Sequence, residues 1–156
     1  MQTATFRQDL GLCHAPRLWH DRVIALAAFG GLLAGLALHL LMPTHYASGV
    51  WQSPMLLFGF IVWQPALEEF LFRGVLQGQF LQSWWGRKSW WGISGANTLT
   101  AVLFVLLHLV HHAPSWALAV FPPAIVFGTL RERHGSIVPS VLMHVFYNVV
   151  YAYAGL

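Results

Sequence analysis

The chain has 156 residues, room for one domain and hardly for two. Only 8% are charged, against about 25% in soluble domains, while 57% are apolar and eight are Trp. That composition excludes disorder, which needs low hydrophobicity and high charge, and the net charge of +3 forms no basic stripe for a nucleic acid. An all-α membrane helix bundle, a single domain over residues 1–156, is the class that is left.

Residues 1–22 are expected to form a cytoplasmic N-terminal segment, of which residues 1–20 are too polar for a secretory signal. Its lone Cys13 rules out an internal disulfide and has no activating charge pair beside it. About 20 apolar residues cross the ~30 Å hydrocarbon core, and five apolar runs are counted as spans. Val23–Met42 is the first, with Gly30, Gly31 and Gly35 spaced for close helix contact. Pro54–Leu81 is the second, with Pro65 expected to start a fresh helical segment inside it. Asn97–His112, Trp116–Leu130 (holding Pro122 and Pro123) and Ser136–Leu156 complete the set.

The Lys and Arg content of the loops alternates along the chain. Arg7, Arg17 and Arg22 precede the first span, Arg87 and Lys88 follow the second, and Arg131 and Arg133 follow the fourth. The intervening loops and the C-terminus hold none. The positive-inside rule then predicts five transmembrane helices, N-terminus cytoplasmic and C-terminus outside. Trp84, Trp85, Trp90 and Trp91 around Arg87 and Lys88 read as an interfacial aromatic belt.

Three charges fall inside a span: Glu68, Glu69 and Arg73. A charge at the bilayer centre costs about 3 kcal/mol or more on insertion scales, so it is kept for a purpose. Glu69 and Arg73, four residues apart, can neutralise each other, with Gln77 one turn on. Glu68 is then the carboxylate available for chemistry. His108 lies within the third span; His144 and Asn148 are one turn apart on the fifth. With 1.5 Å rise per residue, Glu68 lies ~9 Å, His144 ~12 Å and His108 ~17 Å from the cytoplasmic edge, so they can share one site. His39 and His45 read as satisfied hydrogen-bonders, His14, His20 and His134 as surface residues, and His111 and His112 as interfacial or supporting groups.

A carboxylate and a His around one water can deprotonate it for attack. A second His and an Asn amide can donate to a developing oxyanion. Together they suit peptide or amide hydrolysis within a membrane. Zinc hydrolysis is a rival, since both Glu residues, His108 and His144 are plausible ligands, although no His-Glu-x-x-His is present. A non-catalytic membrane scaffold or immunity factor that binds a peptide partner is a second class. A proton-coupled carrier is a third, weakened by the lack of internal repeats.

Three motifs carry a resemblance. Glu68-Glu69-Phe-Leu-Phe-Arg73 is similar to the Glu-Glu-x-x-x-Arg signature of the type II CAAX prenyl endopeptidase family, also called the CPBP family of intramembrane proteases. Phe104-Val-Leu-Leu-His108 and His144-Val-Phe-Tyr-Asn148 resemble its Phe-x-x-x-His and His-x-x-x-Asn signatures, in the same order. The resemblance covers roughly residues 55–150. It implies a glutamic-type endopeptidase of the bacterial cytoplasmic membrane, acting near the C-terminus of a membrane-associated substrate. It further implies that Glu68 and His108 activate water, that His144 and Asn148 form the oxyanion hole, and that Glu69 and Arg73 support them. No cofactor is implied, with zinc left open. The partners implied are a peptide or protein substrate and the lipid bilayer. The short chain implies either an open substrate groove or a homodimer. It also resembles small members tied to C-terminal protein-sorting signals, such as the JDVT-CTERM system.

Overall fold

The structure, a computed structural model, describes residues 6–15, 18–41 and 50–154. Arg17, His45, Met42 and most of the first loop lie outside the described residues. The described chain is mostly helical: α1 (Arg22–Leu41), α2 (Pro54–Phe80), α3 (Gly95–His108), α4 (Pro114–Ala119), α5 (Phe121–His134) and α6 (Val138–Ala154). A short antiparallel hairpin, β1 (Ser89–Trp90) and β2 (Ile93–Ser94), joins α2 to α3. Of these helices, α1 and α2 are long and apolar enough to cross a membrane.

Local chemistry explains the boundaries. Asp21 accepts from the Val23 amide and caps α1. Ser53 caps α2, with Pro54 at the first helical position, where its missing N–H costs nothing. The Ser94 hydroxyl accepts from the Asn97 amide and starts α3. Gly135, at φ +62°, ends α5 in the left-handed conformation that glycine adopts without strain. The run Trp116–Leu130, expected as one span, is two helices: α4 ends at Ala119, and α5 restarts at Phe121 with Pro122 and Pro123 in its first turn. Proline there supplies no N–H to a preceding turn, so a single helix across them is disfavoured.

Pro65 does not open a new helix. α2 runs through it by widening to a π-helical turn at Gly59–Trp63, where the Gln64 amide reaches back five residues to the Gly59 carbonyl. A second π-helical stretch covers Phe70–Leu76.

The described chain forms two compact units, and α2 and α6 each contribute to both. The first comprises residues 1–16 and 68–140. Its core is Phe72, Ala101, Phe104 and Ala124, flanked by Leu76, Leu103, Val120, Phe121 and Ile125. The Phe72 and Phe104 rings meet edge to face at 5.0 Å, which adds directional attraction to burial. α3 packs closely on α5 because Gly128 leaves room for Asn97, whose amide donates to the Ile125 carbonyl and the Thr129 hydroxyl. The N-terminal segment is bound to this unit. Arg131 donates to the Asp9 carbonyl at 2.9 Å, Ser136 donates to the Cys13 carbonyl, and the Ile137 amide donates to the Gly11 carbonyl. The backbone of Asp9 and Leu10 passes directly over Gly74 and Gly78 of α2.

The second unit comprises residues 17–67 and 141–156. There α6 sits on α1: the Tyr147 ring lies against Gly31, Val150 lies against Gly35, and the Tyr147 hydroxyl donates to the Ala27 carbonyl. Two of the three glycines read as a helix contact therefore make one, and Gly30 faces open space. His39 donates from Nδ1 to the Ala154 carbonyl at 3.1 Å, as a satisfied hydrogen-bonder should. Leu26, Phe29, Leu33, Leu36 and Leu40 are exposed along α1. So long an unbroken apolar face suits lipid and would be a liability in water.

Candidate active site

The first unit holds Glu68, Glu69, Arg73 and His108; the second holds His144 and Asn148. Glu69 and Arg73 are fully buried and form an ion pair with Nε 3.2 Å from Oε2. Charges survive burial only when paired and hydrogen-bonded. Beyond the ion pair, Arg73 has one hydrogen bond and three ring contacts. It donates to the Ala124 carbonyl at 2.9 Å. Its guanidinium also lies 4.8 Å from the Phe104 ring centroid, 5.4 Å from that of Phe127 and 5.9 Å from that of Phe72. Gln77, read as the next polar group on this face, is fully buried and donates to the Gly128 carbonyl and to Glu132. Adjacent Glu68 is half-buried. The two neighbouring carboxylates thus have different environments, as their ~100° separation on a helix allows.

His108 ends α3, half-buried. Its ring lies 4.4 Å from the Phe104 ring and stacks at 5.7 Å on that of His112. Its Nδ1 is 2.9 Å from the Phe104 carbonyl. A carbonyl only accepts, so Nδ1 carries the proton, and the neutral ring keeps its lone pair on Nε2. The Phe104 ring therefore neighbours both Arg73 and His108. The helical i, i+4 spacing of Phe104 and His108 was the visible signal for that contact.

On α6, His144 is buried and Asn148 half-buried. The Asn148 amide donates from Nδ2 to the Phe60 carbonyl at 2.9 Å. The cause lies in the π-helical turn. Gln64 bonds to Gly59, so the next bond of that ladder would run from residue 65 to Phe60. Pro65 has no N–H to give, and the Asn148 side chain takes its place. One of the two amide N–H groups is spent in this way, which sets the plane of the amide and the direction of the other.

Arg131, read from the sequence as a loop charge, and its neighbour Glu132 are structural. Arg131 is 5% exposed and bridges the Arg73 carbonyl and the N-terminal segment. Burial pulls its guanidinium below the ordinary value; Cys13, Glu132 and Asp9 pull it back. Glu132 accepts from Gln77 and from the Ser94 hydroxyl, which ties α2, α5 and the cap of α3 together. Among the described residues, no group of three or more His, Cys, Asp or Glu side chains is placed to hold a metal ion.

A model of the family described as type II CAAX prenyl endopeptidase Rce1-like matches residues 50–150. No curated protein and no solved structure matches the chain.

Proposed function

The chain belongs to the type II CAAX prenyl endopeptidase Rce1-like family, a family of membrane proteases, and from that membership we propose a glutamic-type intramembrane endopeptidase that activates water with Glu68 and His108. The observation that carries this reading is the hydrogen bond from His108 Nδ1 to the Phe104 carbonyl. It sets the tautomer a general base needs, with the lone pair on Nε2. Glu68 acts as the second proton acceptor. His144 and the second N–H of Asn148 stabilise the oxyanion that forms when water adds to the peptide carbonyl. Glu69 and Arg73 are supporting residues that hold the helix carrying Glu68 against α3.

In this reading no cofactor takes part. The substrate is a membrane-associated peptide cut near its C-terminus, in line with the prenylated C-termini in the family's name. The Lys and Arg asymmetry supports five crossings, with the N-terminus on the cytoplasmic side of a bacterial membrane. The chain acts alone or as a homodimer.

The test uses protein reconstituted in vesicles and a panel of membrane-anchored C-terminal peptides, prenylated and unprenylated. Glu68→Gln and His108→Ala each lower kcat by about 10²-fold or more, the scale of a lost general base. Asn148→Ala lowers it by about 10²-fold, the scale of a lost oxyanion donor. Cleavage by Glu68→Gln at the wild-type rate would sink the mechanism.

A further inference from the structure

The connection between α2 and α3 is built, not slack. The Arg87 guanidinium donates to the Leu81 and Gln82 carbonyls and closes the end of α2. The Gly95 amide donates to the Lys88 carbonyl, and the Ala96 amide to the Gly86 carbonyl. β1 and β2 pair Ser89 with Ser94 and Trp90 with Ile93, which leaves Trp91 and Gly92 as a two-residue turn. Both have positive φ, +53° and +82°, the requirement of a type I′ turn, for which Asn-Gly is the favoured pair. A bulky residue at positive φ is a genuine outlier.

The strained Trp is also presented outward. Trp91 is 102% exposed and Trp90 is 84% exposed. Trp84 is exposed too, with Lys88 Nζ 4.3 Å from its ring centroid. Within the fold nothing is gained from an indole at position 91, where Asn would relieve the turn. The gain therefore comes from outside the protein. The hairpin starts from the end of α2, a helix long and apolar enough to cross a membrane. Indole rings favour the boundary between headgroups and acyl chains, and an ammonium beside them suits lipid phosphate.

We propose that the Trp90–Trp91 tip is a bilayer-docking element, with its indoles in the headgroup–acyl boundary and anionic phospholipid headgroups at Lys88. α2 and α3 both end on this hairpin, so docking it sets the depth at which Glu68 and His108 sit. The inference does not depend on the protease reading, since docking is measured without substrate.

The test places a nitroxide label on Ser89→Cys in a Cys13→Ser background, which leaves all the tryptophans in place. The full-length protein is reconstituted in phosphatidylcholine vesicles with and without phosphatidylglycerol. Collision with lipid-dissolved oxygen is compared with collision with an aqueous nickel chelate. The expected ratio favours oxygen and rises with phosphatidylglycerol. Trp91→Asn, which suits the turn and keeps the hairpin folded, lowers the ratio severalfold. Lys88→Gln removes the dependence on anionic lipid. A label equally aqueous with Trp91 and with Asn overturns the docking role. A ratio unchanged by phosphatidylglycerol overturns the anionic headgroup site.

Discussion

Removing the Glu69 carboxylate tests the most consequential interaction in the first unit. Glu69 and Arg73 are fully buried and 3.2 Å apart. Truncation to Ala leaves the guanidinium buried without its counter-charge. Arg does not shed its proton in proteins, so the cost is not relieved by titration. Breaking such a pair from one side costs about 3–5 kcal/mol. Arg73 keeps its bond to the Ala124 carbonyl and its three aromatic neighbours, which places the expected value near the lower limit. At about 1.4 kcal/mol per decade, that is a hundredfold or greater rise in the unfolding constant. Arg73→Met removes the same pair from the other side and leaves the Glu69 carboxyl buried without its partner, so it too is destabilising. The double variant Glu69→Met/Arg73→Met recovers most of the loss, since an apolar pair of similar volume is often neutral. Unfolding in mixed detergent–SDS micelles, followed by circular dichroism, measures all three. Glu69→Ala within about 1 kcal/mol of wild type, or a double variant as unstable as the summed singles, would refute the account of this pair as a mutually neutralised support.

Two further outcomes follow from close contacts. Asn148→Ala removes the donor to the Phe60 carbonyl and costs about 1 kcal/mol; in a Pro65→Ala background the restored amide serves that carbonyl, so the cost shrinks, and strictly additive values in the same unfolding assay would show that Pro65 does not create the vacancy Asn148 fills. Gly128→Val drives a side chain into the Asn97 amide and separates α3 from α5; a loss of about 1–3 kcal/mol is expected from such overpacking, and a wild-type unfolding midpoint would contradict the packing described.

Much of the candidate site was legible in residue spacing. The i, i+4 rule anticipated the Glu69–Arg73 pair, and the glycine spacing in α1 anticipated close helix contact there, which the structure makes with α6 at Gly31 and Gly35. Less legible were bonds between residues far apart in sequence. Glu132 belongs to no motif, yet it accepts from Gln77 and Ser94, 55 and 38 positions away. Arg131, counted in the charge alternation, also holds the N-terminal segment, which carried no motif at all. Pro65 looked like a helix start. Its effect is subtler: it removes one donor, the turn widens, and a side chain on another helix fills the vacancy.

The sequence alone determined the class of molecule and its family. Scarce charge, long apolar runs and three ordered motifs are properties of composition and spacing, and these survive without knowledge of any contact. Tertiary structure alone decided what each polar group is bonded to. A backbone carbonyl such as Phe60 or Phe104 has no identity in a one-dimensional pattern, and whether it is already satisfied depends on the helix geometry around it. The same holds for the scarce charges: Arg131 and Glu132 look alike in composition to any loop pair, and only the burial of Arg131 and the bonds both make to groups distant in sequence make them structural.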